Sequence, residues 1–191
     1  LDSHSEFTVA TTAIGDTDTR VDRAGATPGD RVVVTGAFGR SAAALRYFER
    51  AANDDDDAID RANDLFQFAP RVNAGRALAP SATAMMDSSD GLARSLHQLA
   101  EASDCGFAIE RAAVPVADAL DEVTDDDADR WEAAAHFGED FELVATVPTG
   151  AVDDVRSASP TPLTEIGRVV ESEEGVRVDG EPLADRGYTH G

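Results

Sequence analysis

Asp87 and Asp90 stand three residues apart in the sequence MMDSSDGL, with Ser88 and Ser89 between them and Gly91 after them. A short apolar stretch precedes these residues and leucines at helical spacing follow, so the two carboxylates are predicted to meet at a strand-to-helix junction. Carboxylate oxygens suit a hard cation such as Mg²⁺, while helix N-terminal amides and a serine hydroxyl can meet the phosphates that the cation bridges. This pattern is typical of phosphoryl transfer.

A structural role for the same residues remains open. Asp90 or Ser89 occupies the position expected of a helix N-cap, and Asp87 could be an ordinary surface turn residue. A calcium-binding EF-hand loop is excluded, because it needs an oxygen ligand at position 5 and a glutamate at position 12. Counted from Asp87, those positions hold Gly91 and Gln98.

A second acidic cluster lies in the sequence HFGEDFE, where Glu139, Asp140 and Glu142 surround Gly138 just before an apolar stretch. These carboxylates could hold a cationic substrate at a loop-to-strand edge, or they could simply face solvent. The glycines of TGAFGRS, residues 35–41, do not form a phosphate-binding P-loop, because that motif needs a lysine and the chain has none. They are predicted to serve turns and helix packing.

Both kinds of secondary structure are predicted along the chain, without regular alternation. Apolar and β-branched stretches predict strands at residues 6–14, 31–35, 84–86, 107–110, 142–147, 166–170 and 176–178. Helical patterns predict helices at residues 41–52, with Ser41 as the cap, and at 60–68, 72–78, 91–102, 127–135 and 152–157. The last two strands are expected to form a closing hairpin. The fold class is therefore α+β, with helices layered on a mixed, mostly antiparallel sheet.

The composition limits the possible partners. The chain of 191 residues has 38 acidic and 16 basic residues, a formal charge of -22, and 42% hydrophobic residues. This charge repels nucleic acids and anionic membranes, so neither is expected as a partner. The hydrophobic fraction supports a folded core, and a folded acidic protein is typical of a salt-loving organism. The single cysteine, Cys105, is expected to be a buried apolar residue in a cytoplasmic protein.

Four motifs occur together in order. They are RAGATPGD at residues 23–30, DSSDGL at 87–92, GEDFEL at 138–143 and GYTH at 187–190. With these motifs, nearly the whole chain resembles the thiamine-monophosphate kinases. That family lies within the larger group that includes aminoimidazole ribonucleotide synthetase and selenophosphate synthetase. The resemblance implies a fold like the C-terminal domain of the aminoimidazole ribonucleotide synthetase group.

Residue roles follow from this resemblance. It implies that Mg²⁺ is bound by Asp87 and Asp90, that ATP is contacted by Arg23 and Ser89, and that thiamine monophosphate is contacted by Glu139 and Tyr188. The implied reaction transfers a phosphoryl group from ATP to thiamine monophosphate, and no protein side chain is assigned as a nucleophile. Two alternatives are a related kinase or synthetase with a different acceptor, and a non-catalytic module that binds a metal or nucleotide.

The resemblance also implies a division of the chain. Residues 1–27 would be the last strand and linker of an N-terminal ATP-binding domain that is otherwise absent, and residues 28–191 would form the C-terminal α+β domain. The chain alone is therefore expected to be inactive. The full-length protein is expected to be a cytoplasmic homodimer whose partners are the small molecules thiamine monophosphate and ATP.

Overall fold

The structure is a computed structural model, and it describes residues 12, 14–53 and 56–187. Most of the strand predicted at residues 6–14 lies outside the described residues, and so does Tyr188. None of the described helices is long and apolar enough to cross a membrane.

Six α-helices and seven strands alternate irregularly along the described chain. The strands are β1 (Arg31–Thr35), β2 (Ala84–Ser88), β3 (Gly106–Ile109), β4 (Glu142–Val147), β5 (Leu163–Val170), β6 (Val176–Val178) and β7 (Glu181–Pro182). The helices are α1 (Arg40–Ala51), α2 (Asp56–Phe66), α3 (Val72–Leu78), α4 (Leu92–Ser103), α5 (Asp127–His136) and α6 (Val152–Ala158). Every helix and every strand predicted within the described residues is present, with small shifts at the ends.

All seven strands form one sheet in the order β2-β4-β1-β5-β3-β6-β7. Each neighbouring pair is antiparallel except β3 and β6, which are parallel. The closing hairpin predicted for residues 166–170 and 176–178 is wrong, because β3 lies between β5 and β6 in the sheet. A tight turn at Ser172–Glu174, followed by Gly175 with φ of 66°, carries the chain past the end of β3. The predicted fold class, α+β with a mostly antiparallel sheet, is confirmed.

The sheet is covered unequally on its two faces. Residues of α1, α4 and α5 pack on one face around a large core that includes Phe38, Leu96, Phe107 and Ile166. The other face carries a smaller core in which Leu78 of α3 and Val155 of α6 cover β1 and β4. Cys105 is buried, and burial raises the pKa of its thiol to about 11, so it behaves as the predicted apolar residue.

The predicted helix caps are wrong for both α1 and α4. Gly39 and Gly91 are the N-cap residues, with φ of 90° and 104°, and neither helix has a side-chain cap at that position. Ser41 lies inside the first turn of α1, and its backbone amide is instead satisfied from another part of the chain. Glycine occupies these caps because the entering backbone is in a region that side chains disfavour.

Candidate functional site

Asp87 and Asp90 both lie at the carboxyl end of β2, ahead of α4. Asp87 is in the strand with an exposed side chain, and Asp90 is half-buried in the turn that follows. Within the described residues, neither carboxylate accepts a hydrogen bond or forms an ion pair. Since Gly91 and not Asp90 or Ser89 is the N-cap of α4, the alternative capping role of Asp90 is wrong. The alternative for Asp87, an ordinary surface residue, stays a prediction.

The second acidic cluster lies directly beside this turn. The backbone amide of Glu139 donates to the Ser89 carbonyl oxygen at 2.7 Å, and that of Phe141 donates to the Ser88 carbonyl oxygen at 3.1 Å. A Cβ at position 138 would overlap the Ser89 carbonyl oxygen, so Gly138 permits this close approach. The structure therefore joins the DSSDGL and GEDFEL motifs into one loop cluster, although about fifty residues separate them in the sequence.

Asp140 turns inward and binds the start of α1. Its two carboxylate oxygens accept hydrogen bonds from the backbone amides of Gly39 at 2.6 Å and Ser41 at 2.9 Å. A carboxylate at a helix N-terminus compensates both the free amides and the helix dipole. Burial nevertheless raises the pKa of Asp140 to about 6, against the lowering effect of these hydrogen bonds and with the help of the nearby Glu142 charge.

The Glu142 carboxylate also binds other side chains of the protein. Its side chain is 1% exposed and forms a bidentate ion pair with Arg71, with Nε–Oε2 at 2.6 Å and Nη2–Oε1 at 2.5 Å. The Thr35 hydroxyl donates to Oε2 at 2.6 Å and itself accepts from the Leu143 amide at 2.8 Å. Gly36 leaves room for this carboxylate, since a Cβ there would overlap it. Asp140 and Glu142 therefore cannot hold a substrate, and neither alternative predicted for them is correct.

Glu139 is the member of the cluster that faces a cavity. Its backbone has φ of 71°, and the residue lines a pocket of about 280 Å³. The other lining residues are Ser41, Leu45, Phe48, Phe66 and Phe137. Phe48 and Phe66 meet edge to face, with ring centroids 6.3 Å apart. The pocket thus combines an aromatic wall with one carboxylate and opens beside the turn that carries Ser89 and Asp90.

The segment that leads to Tyr188 is attached to α4 and α5. Arg94 pairs with Asp185 at 2.6 Å, and Arg186 binds both carboxylate oxygens of Glu132 at 2.8 and 2.9 Å. A Cβ at Gly187 would overlap the Asp90 carbonyl oxygen, so the described chain ends against the aspartate turn. His97, predicted to be structural, binds the carbonyl oxygen of Leu183 through Nε2 at 2.9 Å.

Arg23 lies along the outer side of β2. The Met85 amide donates to the Asp22 carbonyl oxygen at 3.0 Å, and Ser103 donates to the Arg23 carbonyl oxygen at 3.2 Å. Ser89 lies four residues beyond Met85, which is about 13 Å along an extended strand. The structure therefore does not bring Arg23 next to Ser89.

The two carboxylates at the end of β2 suit Mg²⁺ better than a metal whose ligands must all come from the protein. No group of three or more metal-ligating side chains occurs within residues 12, 14–53 and 56–187. Mg²⁺ is usually held by one or two carboxylates together with substrate phosphates and water. Asp87 and Asp90, which accept no hydrogen bond and form no ion pair in the described chain, match that requirement.

The sequence offered no signal for the aromatic pocket or for the role of Arg71. Phe48, Phe66 and Phe137 belong to three separate elements, and Arg71 lies 71 positions from Glu142. One indirect signal was present: Gly138 directly precedes the acidic residues Glu139 and Asp140, and it permits a close approach.

Comparison with known proteins identifies the family of the chain. Residues 27–180 match the family described as AIR synthase related protein, C-terminal domain. A thiamine-monophosphate kinase of Halobacterium salinarum is 62% identical over 190 residues, which cover 100% of this chain and 63% of that protein. The thiamine-monophosphate kinase of Escherichia coli strain K12 is 40% identical over 181 residues, which cover 88% of this chain and 54% of that protein.

Solved structures give the same result. The thiamine-monophosphate kinase of Stenotrophomonas maltophilia K279a superimposes with a TM-score of 0.75 at 30% identity, over 87% of this chain and 55% of that one. AaThiL, complexed with AMPPCP and TMP, superimposes with a TM-score of 0.74 at 29% identity, over 91% of this chain and 55% of that one. The chain thus spans somewhat more than half the length of these relatives. The resemblance to thiamine-monophosphate kinases predicted from the four motifs is confirmed, and the chain belongs to the AIR synthase related family through its C-terminal domain.

Proposed function

We propose that this chain is the acceptor-binding part of an enzyme that transfers the γ-phosphoryl group of ATP to thiamine monophosphate. The products are thiamine diphosphate and ADP. One observation carries the proposal: the end of β2 with Asp87, and the turn with Asp90, adjoin the loop with Glu139 beside an aromatic pocket. Phosphate-binding groups and a pocket for a flat cation are therefore neighbours. The relatives named thiamine-monophosphate kinase support the choice of acceptor.

The pocket suits the ring system of the acceptor. Thiamine contains a positively charged thiazolium ring and an aminopyrimidine, both flat and aromatic. Phe48, Phe66 and Phe137 provide aromatic surface, which attracts cations as well as apolar groups. Glu139 adds a carboxylate that can balance the ring charge or accept a hydrogen bond from the amino group. AaThiL, whose solved complex contains AMPPCP and TMP, supports the choice of acceptor but carries no argument for this particular pocket.

The described turn fits the handling of phosphates. Asp87 and Asp90 would hold Mg²⁺, which supplies neutralisation of the phosphate charge. Ser89 and Arg23 would contact ATP, and the free amides at the start of α4 would face phosphate oxygens. Tyr188 would contact the acceptor, because Gly187 lies against Asp90.

No protein nucleophile or general base is needed for this reaction. The attacking atom is a phosphate oxygen of thiamine monophosphate, and a phosphate monoester with a second pKa near ~6 is already largely ionised at neutral pH. A bond forms between this oxygen and the γ-phosphorus while the bond to the β-γ bridging oxygen breaks, and ADP leaves with that electron pair. The residues named above act by positioning and by electrostatic stabilisation.

The complete activity requires more protein than this chain. The match covers only 63% and 54% of the two relatives, and we propose that residues 1–27 connect to an N-terminal ATP-binding domain. The domain division at residue 28, the homodimeric state and the cytoplasmic location remain predictions.

Turnover by the full-length protein tests the proposed function. With ATP, Mg²⁺ and thiamine monophosphate it should form equimolar ADP and thiamine diphosphate, measured by chromatography. The 191-residue chain alone should show no turnover, because part of the ATP site would be missing. A chain that turned over by itself at about 1 per second or faster would contradict the division into two domains. Nucleotide binding without magnesium and without turnover would favour a non-catalytic module.

Salt dependence is a further expected result. The formal charge of -22 is self-repelling, and a Debye length of about 3 Å at 1 M salt screens most of that repulsion. We propose that the protein is halophilic and expect the melting temperature to rise steeply between dilute buffer and molar potassium chloride. If circular dichroism gave equal melting temperatures in the two conditions, the acidic composition would not make the stability of the protein depend on salt.

A further inference from the structure

Residues 64–71, here called the 64–71 segment, form one wall of the aromatic pocket. The segment ends α2 and leads into α3, and it contributes Phe66 to the pocket lining. Phe66 and Phe68 both remain substantially exposed, so burial alone does not hold the segment in place. Besides the packing of Leu65 on the core and the contact of Phe66 with Phe48, two arginines and one stacked ring pair attach the segment.

Arg40 holds the first part of the segment. Its Nη2 atom donates to the carbonyl oxygens of Leu65 at 2.9 Å and Gln67 at 3.0 Å, and more weakly to that of Asp64 at 3.4 Å. Asp64 and Leu65 belong to the last turn of α2, where carbonyl oxygens have no partner within the helix, and Gln67 directly follows the helix. Because Arg40 is the first residue of α1, it fixes the end of α2 to the start of a second helix.

Arg71 holds the other end through the bidentate ion pair with the buried Glu142. Between the two arginines, Phe68 stacks on Phe141 with ring centroids 4.6 Å apart and an angle of 23°. Phe141 and Glu142 lie two and three residues after Glu139 in the second acidic cluster. The pocket wall that carries Phe66 is thereby attached to the loop that carries the pocket carboxylate.

We propose that Arg40 and Arg71 are positioning residues that set the acceptor specificity of this pocket without contacting the acceptor. They fix the distance between Phe66 and Glu139. That distance determines how thick a ring fits between the two residues and where the positive charge of that ring must lie. This inference rests on the proposed function for the identity of the acceptor. The attachment itself can be tested without any ligand.

Arginine geometry is central to the proposal. Two parallel N–H···O bonds fix both the distance and the plane of the guanidinium relative to the carboxylate, whereas lysine offers a single point charge. Arg71→Lys therefore keeps the charge opposite Glu142 but no longer fixes the orientation of the 64–71 segment. Arg71→Met and Arg40→Met remove each attachment altogether, and Arg76→Met replaces an exposed arginine of α3 as the matched control.

Hydrogen exchange in the unliganded full-length protein is the first measurement. The amides of Glu139 and Phe141, which bind the Ser89 and Ser88 carbonyl oxygens, should lose about tenfold or more of their protection in Arg71→Lys. Amides in β3 and β5 should keep theirs, as should all amides in Arg76→Met. An equal loss in β3 and β5 would indicate global destabilisation only, and would overturn the proposal.

Steady-state kinetics and calorimetric binding are the second measurement. Since a displacement of about 1 Å can cost about 100-fold, we expect Arg71→Lys and Arg40→Met to raise the KM for thiamine monophosphate at least about tenfold. The KM for ATP should change less than about twofold. A parallel rise in both constants, or no rise in either, would overturn the proposal. If the wild-type protein neither binds nor phosphorylates thiamine monophosphate, the proposed function fails, and the exchange result alone decides whether the arginines position the loop.

Discussion

Replacing either Asp87 or Asp90 with asparagine is expected to lower kcat/KM for thiamine monophosphate by at least about 100-fold in the full-length protein. Asparagine keeps the size of the side chain and removes one negative charge from the proposed magnesium site. Charge stabilisation by a bound metal is commonly worth several kcal/mol, and each ~1.4 kcal/mol corresponds to about a tenfold change in rate.

The melting temperature separates this role from a structural one. Neither carboxylate has a hydrogen bond or ion pair within the described residues, and Gly91 is the N-cap of α4, so the substitutions remove no contact that supports the fold. We expect the melting temperature of both variants to stay close to that of the wild-type protein. The magnesium concentration for half-maximal activity should rise in parallel with the loss of kcat/KM.

A matched control is available in the first turn of α6. Asp154 is an exposed aspartate at a helix start and is distant in sequence from the two motifs, so Asp154→Asn should leave both rate and magnesium dependence unchanged. Near-normal kinetics of Asp87→Asn and Asp90→Asn at saturating Mg²⁺ would mean that these aspartates do not hold the metal. The assignment as a kinase would then depend on the relatives alone.

The largest expected effect on stability comes from Glu142→Ala. Removing one partner of a buried ion pair typically costs about 3–5 kcal/mol, because the other charge is left without compensation. Here Arg71, with 16% of its side chain exposed, and the Thr35 hydroxyl both lose their acceptor. For a protein of this size we expect the melting temperature to fall by roughly 10 °C, measured by circular dichroism in molar potassium chloride.

Glu132→Ala is the control for a surface ion pair. Glu132 binds Arg186 with equally good geometry, but its side chain is 49% exposed and that of Arg186 is 59% exposed. Exposed pairs contribute about 0–1 kcal/mol, so the melting temperature should change by only a few degrees at most. If Glu142→Ala were as mild as Glu132→Ala, the Arg71–Glu142 pair would not be a main support of the loop cluster.

Asp140 and Glu142 also explain why the GEDFEL motif contains three acidic residues. Only Glu139 faces the pocket, whereas the other two carboxylates bind the start of α1 and Arg71. Glu139 and Phe141 have positive φ values of 71° and 52°, a conformation that non-glycine residues rarely adopt. The internal contacts of their neighbours compensate this backbone strain and keep the Glu139 side chain at the pocket.

Local sequence patterns determined the elements of this protein. Alternating or continuous apolar residues predicted β1 and β4, and leucines at helical spacing predicted α4, because these patterns depend only on residues within a few positions of each other. For the same reason the sequence placed Asp87 and Asp90 correctly at a strand-to-helix junction. The family resemblance was likewise readable from four short motifs, and the comparisons confirm it.

Only the tertiary structure decided how these elements meet. The parallel pairing of β6 with β3, the binding of the α1 amides by Asp140, and the ion pair of Arg71 with Glu142 join residues that are tens of positions apart. The same is true of the aromatic pocket built from α1, α2 and the end of α5. Such contacts have no sequence period, because they depend on which hydrophobic faces pack together and on where the chain crosses the sheet. The acidic motif could therefore be recognised from the sequence, but which of its carboxylates faces a ligand could not.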